Sequence, residues 1–209
     1  MIYISNNTGS YDFVKKRIKP IFQWVVLIFA LLVAIPFYFV FRCAGLFFGR
    51  DNTFRGVSQL LGLFPSIFGR LLRRGFYILA LRKCSPASTI DFGTFFSSPD
   101  VIIGKYVYVG ANCIISSCVI EDDVIIGSGV HVANKEMHRF DSVDLPIRLQ
   151  GGSRRPIRIG QDVWIGNSSV IMADVGAHSV IGAGAVVTKP IEEWSIAVGN
   201  PAKIIRKRK

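Results

Sequence analysis

Three histidines, His131, His138 and His178, are the residues best suited to proton transfer near neutral pH. An imidazole has an ordinary pKa of about 6.5, so its neutral form can accept a proton or bind a metal ion at physiological pH. His138 lies in a charged stretch, residues 133–156, that contains two prolines and a Gly-Gly pair. His131 directly precedes Val132 of a regular repeat, and His178 falls at a predicted turn. We therefore take His138 as the candidate catalytic histidine. We assign structural roles to His131 and His178.

The elements that must position these residues repeat every six positions between Val101 and Thr188. An aliphatic residue recurs there, usually followed by glycine or another small residue, in the pairs Ile103-Gly104, Val109-Gly110, Ile115-Ser116, Ile120-Glu121, Ile126-Gly127, Val132-Ala133, Ile159-Gly160, Ile165-Gly166, Ile171-Met172, Ile181-Gly182 and Val187-Thr188. This spacing predicts a parallel β-helix solenoid, in which three hexads form one triangular coil and the aliphatic residue points inward. An amphipathic helix or a half-buried strand would instead show periods of 3.6 or 2. The alternative is a chance pattern in a Val/Ile/Gly-rich all-β domain.

The predicted solenoid domain covers residues 85–190 and is interrupted once, at 133–156. The interruption must leave the regular coil as a loop, and loops of this length often carry function. A C-terminal segment, 191–209, ends in a basic tail. We leave open whether that tail is a solvated end, a membrane-surface patch or a phosphate contact.

Hydrophobic residues make up 50% of the chain, and their excess lies in the first 80 residues. After a basic tail, residues 1–19, the run from Ile21 to Phe41 has no charged residue. As a helix it is long enough to cross a hydrocarbon core of about 30 Å. The run is too long for a cleaved signal peptide and lacks a small-residue cleavage site after it. We predict a transmembrane or re-entrant segment over 20–50, with a buried core helix as the alternative.

The charges around this segment do not decide its orientation, because basic residues precede it and Arg42, Arg50 and Arg55 follow it. Pro36 is expected to break the helix, which favours a re-entrant hairpin with both ends on the cytoplasmic side. Residues 51–84 then predict two short amphipathic helices that lie in the headgroup region, cap the solenoid, or do both.

The formal net charge of +11 favours an anionic membrane surface as partner. We expect no nucleic-acid partner, because no nucleic-acid-binding signature accompanies the charge. The four cysteines form no CxxC pair, and we interpret them as buried thiols of a reducing compartment.

The hexads and the histidine-bearing loop occur together with three motifs: DVWIG at 162–166, IGAGAVVTK at 181–189 and GNPAK at 199–203. Over residues 90–206 this combination resembles the hexapeptide-repeat O-acetyltransferases. The apolar amino-terminal part resembles the membrane-associated subset that acts on polysaccharides or lipid-linked sugars. The resemblance implies a mainly β fold, a left-handed parallel β-helix, with an N-terminal membrane-associated helical region. It also implies a homotrimer with active sites between subunits, acetyl-CoA as co-substrate and no metal.

In the family that the chain resembles, a loop histidine acts as general base on an acceptor hydroxyl, which attacks the thioester directly. The resemblance gives this role to His138. Glu136, Asp141 or a backbone carbonyl would orient the other ring nitrogen. A general base contributes on the order of 10² to 10⁴ in rate, and corner N–H groups of a solenoid can stabilise an oxyanion.

The resemblance also assigns residues to the coenzyme. Trp164 corresponds to a tryptophan that packs in the acyl-CoA groove, although it could simply be an external packing residue. Asn167 would face the pantetheine, and the backbone N–H of Ala183 would hold it, unless Ala183 only forms a tight corner. The positions assigned to the far end of the coenzyme and its phosphates are Thr188, Lys189, Lys203 and Arg206. Lysine offers a phosphate a point charge, and arginine can bind it bidentately.

We therefore predict an acetyl-CoA-dependent O-acetyltransferase of the cytoplasmic membrane whose catalytic domain faces the cytoplasm. A glycan or lipid-linked sugar would be the acceptor, and the anchor would raise its effective concentration. A xenobiotic or small-sugar acetyltransferase of the soluble type is the alternative, and a non-catalytic scaffold is a remote one. A γ-class carbonic anhydrase is also remote, because that family places two zinc-binding histidines five apart, whereas His131 and His138 are seven apart. Nucleotidyltransferases with solenoid tails are disfavoured, because no nucleotide-binding domain precedes the repeats.

Overall fold

A computed structural model describes residues 20–133, 138–152 and 155–209. Three helices come first: α1, Pro20–Phe48; α2, Arg50–Gly62; and α3, Ser66–Ala80. The strands β1 to β16 follow in chain order: Lys83–Cys84, Thr89–Ile90, Phe95–Phe96, Ile102–Ile103, Tyr108–Val109, Ile114–Ile115, Cys118–Ile120, Ile125–Ile126, His131–Val132, Ile157–Ile159, Trp164–Ile165, Val170–Ile171, Val180–Ile181, Val186–Val187, Ser195–Val198 and Lys203–Lys207. A 3-10 turn, Ile147–Leu149, lies between β9 and β10.

Strands β1 to β15 wind into a three-sided parallel solenoid. Face A contains β1, β4, β7 and β10 and is continued by bridges through Val175 and Ile191. Face B contains β2, β5, β8, β11, β13 and β15, and face C contains β3, β6, β9, β12 and β14. One hexad therefore leads from each face to the next. The predicted parallel solenoid is confirmed.

The aliphatic residue of every hexad lies inside the coil. The buried set is Ile103, Val109, Ile115, Ile120, Ile126, Val132, Ile159, Ile165, Ile171, Ile181 and Val187. Burying one such side chain contributes about 1.5–3 kcal/mol, so this column is the main source of stability. The irregular step between Ile171 and Ile181 has a simple cause, because Val175 is buried between them and bridges Ile159 and Ile191.

The solenoid strands run from Lys83 to Val198, whereas the sequence predicted residues 85–190. At the carboxyl end the inward position of β15 is occupied by Ala197. Because Ala197 is smaller than the usual isoleucine or valine, the last coil gives only a weak hexad pattern.

One corner of the solenoid uses left-handed backbone conformations. Tyr106, Asp123, Asp162 and His178 each stand two residues before a strand of face B and Trp194 stands one residue before β15, with φ between 53° and 62°. This region is uncommon for residues other than glycine. The prediction that His178 is a corner residue is therefore confirmed.

At the next edge, the positions directly after Val109, Ile126 and Ile165 of face B leave no room for a side chain between coils. A Cβ atom added to Gly110 would lie 2.7 Å from the carbonyl carbon of Gly127 and 2.7 Å from the nitrogen of Ser128. Both atoms belong to the backbone of the next coil and cannot rotate away. Glycine is required at these positions by the close approach of coils.

Replacing Gly110 with alanine is expected to destabilise the fold by about 1–3 kcal/mol, because two coils must separate locally. The matched control is Gly56→Ala, since Gly56 is exposed on α2 and a Cβ there would meet nothing within 4 Å. We expect that control to be neutral or stabilising by up to about 1 kcal/mol. Thermal unfolding of both variants checks the difference, and equal melting temperatures would contradict it.

Helix α1 runs without interruption through Pro36. The expectation that Pro36 breaks the helix is therefore wrong. Proline removes one backbone donor from the hydrogen-bond ladder, and apolar helices tolerate this loss when the flanking turns are satisfied. The chain changes direction instead at Gly49, whose φ of 84° suits glycine. Within the described residues, the part of α1 from Trp24 to Phe48 is the one helix long and apolar enough, by length and composition, to cross a membrane.

Helices α2 and α3 cap the first coil of the solenoid. The prediction that this region caps the solenoid is therefore confirmed, whereas its place in the headgroup region stays a prediction. The Ser58 hydroxyl lies 2.7 Å from the Tyr77 hydroxyl and accepts a 2.9 Å hydrogen bond from the Phe96 backbone N–H in β3. The buried Arg73 guanidinium donates to the carbonyls of Leu61, at 3.0 Å, and Ile90, at 3.3 Å. These bonds satisfy backbone groups where the coil would otherwise end open.

Candidate active site

The predicted coenzyme residue Trp164 lies on the outer surface of face B and is 55% exposed. Parallel pairing places it beside Ile125 of β8 and Val180 of β13, and Tyr108 follows next to Ile125. None of these three neighbours was predicted to be a site residue from the sequence. The hexad pattern contains them, because each stands one position before an inward aliphatic residue. Together they form an apolar column in which Trp164 is the largest side chain.

Asn167 and Ala183 lie on successive coils at the edge between faces B and C. The Gly184 N–H donates to the Asn167 carbonyl at 2.8 Å, which fixes the two corners against each other. The Asn167 side chain is used within the solenoid, since its Oδ1 accepts a 2.9 Å hydrogen bond from the Ser128 N–H. The Ala183 residue is exposed, so its corner is open to a ligand.

Thr188 and Lys189 lie at the edge between faces C and A, from which the long loop also leaves. The Ala133 N–H bonds to Ile171 and the Met172 N–H bonds to Val187, so Ala133, Met172 and Thr188 stack on successive coils. Strand spacing places Thr188 about 10 Å from the start of the loop. The structure thus brings Lys189 near the root of the loop, on a different side of the triangle from Trp164.

The loop carries His138 on an exposed backbone segment. Glu136, one predicted partner of His138, lies outside the described residues. Asp141, the other side-chain candidate, forms an ion pair with Arg139 at 3.2 Å. That pair is exposed on both sides and is therefore weakly held. The choice of orienting group for His138 stays a prediction.

The loop is closed on itself by Gln150. Its side chain accepts from the Ser142 N–H at 3.0 Å and donates to the carbonyls of Ser142, at 2.9 Å, and Leu145, at 2.7 Å. Five large apolar side chains nevertheless remain exposed on it: Phe140, Val143, Leu145, Ile147 and Leu149. Val143 is 96% exposed. An apolar cluster of this size on a surface loop is typical of a contact surface.

The basic tail folds back as β16, antiparallel to β15, and so extends face B. Lys203 and Arg206, the predicted phosphate residues, are both exposed on this strand. Arg208 donates to the Asp162 carboxylate at 2.9 Å. The same carboxylate oxygen lies 3.0 Å from His178 Nδ1, and the His178 ring stacks on Trp194 with centroids 4.1 Å apart.

The hydrogen bond with His178 is the main cause that holds the pKa of Asp162 below its usual value, and Arg208 adds to it. A carboxyl with a depressed folded-state pKa stabilises the fold above its unfolded pKa of about 3.9 and loses that contribution as the pH falls through the folded value.

Asp162→Asn is therefore expected to lower the melting temperature at pH 7, and the difference from the unaltered protein should shrink as the pH falls below about 4. Thermal unfolding measured from pH 7 to pH 3 checks this. Asp144→Asn, on the exposed loop, is the control and should show little effect throughout. A difference that grows on acidification would contradict the assignment.

The four cysteines are free thiols, and burial raises the pKa of Cys84 to about 11 and that of Cys118 to about 12. Within the described residues no group of three or more His, Cys, Asp or Glu side chains is placed to hold a metal ion.

Both segments of the solenoid match known families of hexapeptide repeats. Residues 100–133 match the hexapeptide repeat of succinyl-transferase, and residues 156–189 match the bacterial transferase hexapeptide of six repeats. The two matches flank the long loop. The chain thus carries hexapeptide repeats of the transferase type, and it has homologues named as acetyltransferases.

A probable acetyltransferase of Mycobacterium tuberculosis is 36% identical over 110 residues, which cover 50% of this chain and 36% of that protein. The chain spans between 36% and 61% of the length of the first curated relatives that it matches.

Two solved structures show the same fold. A maltose O-acetyltransferase from Clostridium difficile 630 has a TM-score of 0.66 at 22% identity, covering 75% of this chain and 87% of that one. A hexapeptide-repeat-containing acetyltransferase from Vibrio cholerae, solved with acetyl coenzyme A, has a TM-score of 0.58 at 24% identity, covering 76% and 88%.

Proposed function

We propose that the protein is an acetyl-CoA-dependent O-acetyltransferase that modifies a hydroxyl of a glycan or lipid-linked sugar. One observation carries the proposal: two blocks of transferase-type hexapeptide repeats flank a single extruded loop, and that loop bears His138. The solenoid supplies a rigid support, and the loop supplies a proton acceptor where solvent and ligands have access.

In the proposed reaction the neutral His138 imidazole takes the proton of the acceptor hydroxyl as its oxygen attacks the acetyl carbonyl carbon. A C–O bond forms, the C–S bond of the thioester breaks, and the proton passes from the imidazolium to the sulfur of the departing CoA. Corner N–H groups stabilise the oxyanion. No acyl-enzyme is formed, because the acceptor attacks acetyl-CoA directly.

The coenzyme site is proposed to lie between subunits of a homotrimer. Trp164 lies on face B, whereas His138 and Lys189 belong to the edge between faces C and A. If a second copy is placed against face B, the loop of that copy lies beside Trp164 of the first. The contact also covers the exposed apolar side chains of the loop. In this arrangement Trp164, Asn167 and Ala183 contact the coenzyme.

The residues proposed for the phosphate end of the coenzyme are cationic or hydroxyl-bearing: Thr188, Lys189, Lys203 and Arg206. The lysines and the arginine are exposed, so their charges are available to an anion. The apolar helix α1 supports a membrane location, with the solenoid on the cytoplasmic side where acetyl-CoA is made available to it.

The proposal is tested by incubating the purified full chain with acetyl-CoA labelled in the acetyl group and with lipid-linked oligosaccharides. The expected result is label in the glycan that hydroxylamine releases, since esters are cleaved by it and amides are not. Label confined to free sugars or antibiotics would favour the alternative acetyltransferase type. Acetyl-CoA that neither binds nor turns over would overturn the proposal.

A further inference from the structure

One face of α1 is occupied by protein along the middle of the helix. Ala30, Ala34 and Phe41 are at most 3% exposed, and their spacing places them on one side. Gly75 of α3 contacts this side so closely that an added Cβ would overlap the Ala30 carbonyl. Phe41 also stacks edge-on against Phe76 of α3, with centroids 6.3 Å apart. Helix α3 is therefore fixed to the centre of α1.

The solenoid lies directly beneath this contact. Arg73, two residues from Gly75, is fully buried and donates to the Ile90 carbonyl of β2 at 3.3 Å. The next residue of the solenoid, Asp91, is bound by Arg70 at 3.0 Å. Only one layer of helix, with a diameter of about 10 Å, thus separates the middle of α1 from charged groups of the first coil.

This geometry conflicts with a helix that crosses the bilayer. If α1 spanned the membrane, its middle would lie at the bilayer centre, and the Arg70–Asp91 pair would lie at nearly the same depth. Each charged side chain in that position costs about 2.5–3.5 kcal/mol on insertion scales.

The opposite side of α1 offers an uninterrupted apolar surface. Trp24, Ile28, Leu32, Ile35 and Phe39 are between 50% and 65% exposed and follow one another at helical spacing. They face away from the solenoid, because the buried side of α1 faces α3.

We propose that α1 lies in the plane of a single leaflet, with this outer face buried in an anionic lipid bilayer and the solenoid held above it. The inference rests on the membrane association that the proposed function includes. Exposed arginines on the same helical unit, Arg42 and Arg55, together with the net charge of +11, match the negative potential of such a surface. A lipid-linked acceptor would then meet the enzyme from the leaflet on which α1 rests.

Depth measurements on four single-tryptophan variants of the full chain test the proposal. Trp24 is retained in one variant. Each of the others carries one substitution, Leu32→Trp, Phe39→Trp or Phe47→Trp. Trp164 and Trp194 are replaced by phenylalanine in all four variants, and Trp24 is replaced by phenylalanine in these three. Each variant is reconstituted into phosphatidylcholine–phosphatidylglycerol vesicles that carry bromine at a shallow or a deep acyl position, and fluorescence quenching reports depth.

For a helix in the plane, we expect the four depths to agree within about 5 Å, since they then differ only by the helix radius. For a spanning helix, positions 32 and 39 would lie near the centre and positions 24 and 47 near the two surfaces, about 10 Å or more shallower, because the rise is 1.5 Å per residue. That second pattern would overturn the proposal. Quenching by neither lipid, with self-association of the protein, would also overturn it by showing that a second copy covers the face.

A matched pair of charge variants gives an independent readout. Leu32→Glu, on the outer face of α1, is expected to weaken sedimentation with the same vesicles at least tenfold. Gln59→Glu, on the exposed side of α2, adds the same charge and should change it less than threefold. Equal effects would contradict a role for the outer face. Acetyl transfer by the unaltered protein is assayed in parallel. A spanning helix in an active protein would overturn only this inference, whereas an in-plane helix in an inactive protein would overturn only the proposed function.

Discussion

His138→Ala is expected to reduce acetyl transfer by a factor on the order of 10² to 10⁴, because the acceptor hydroxyl then loses its proton acceptor. The substitution is on an exposed loop segment, so the fold should be unaffected. Initial rates with labelled acetyl-CoA measure the effect, and a melting curve confirms that the variant is folded. The Michaelis constant for acetyl-CoA should change little, since the imidazole acts on the acceptor.

The matched control is His131→Asn, at an outward position of β9 between Ile114 and Val170. This variant is expected to retain most of its activity. Near-normal rates in His138→Ala would remove His138 from the mechanism. If the activity were lost in His131→Asn instead, the role of base would pass to His131.

Arg73→Ala is expected to destabilise the protein by about 3–5 kcal/mol, since it removes a large buried side chain and leaves carbonyl groups without their donor. The guanidinium binds the carbonyls of Leu61, Phe64 and Ile90, and so joins α2, α3 and the first coil. Burial lowers the pKa of Arg73, but an arginine remains charged throughout the physiological range. For a chain of this length the loss corresponds to a fall in melting temperature on the order of 10 °C.

Arg70→Ala, one turn earlier on α3, separates burial from charge. Arg70 is half exposed and pairs with Asp91 at 3.0 Å, so its loss should cost at most about 1 kcal/mol. Thermal unfolding of the detergent-solubilised variants gives both values. If the two arginines proved equally costly, the buried joint between helices and solenoid would not be the main source of stability at that end.

The solenoid core was readable from the sequence because its rule is local. A buried aliphatic residue every six positions needs no knowledge of distant parts of the chain, and the corner position of His178 follows from the same count. The rule weakens where a smaller residue such as Ala197 occupies the inward position, and there the predicted boundary stopped early.

Other features depend on contacts between distant residues. Arg208 reaches Asp162 across 46 positions of sequence, and neither residue carries a signal of the other. Pro36 was expected to end a helix because proline lacks a donor, yet the helix continues. The sequence marked His138 as unusual, but the ion pair between Arg139 and Asp141 could be seen only in the folded loop.

The final strand, β16, bears on how the solenoid avoids end-to-end association with other copies. A stack of parallel strands ends in a row of free N–H and C=O groups, onto which a second stack can add and grow into a fibre. On face B the last rung is met by a strand that runs the opposite way, and its exposed side carries lysine and arginine. With α2 and α3 covering the other end, face B is thus protected at both ends against the addition of a further parallel strand.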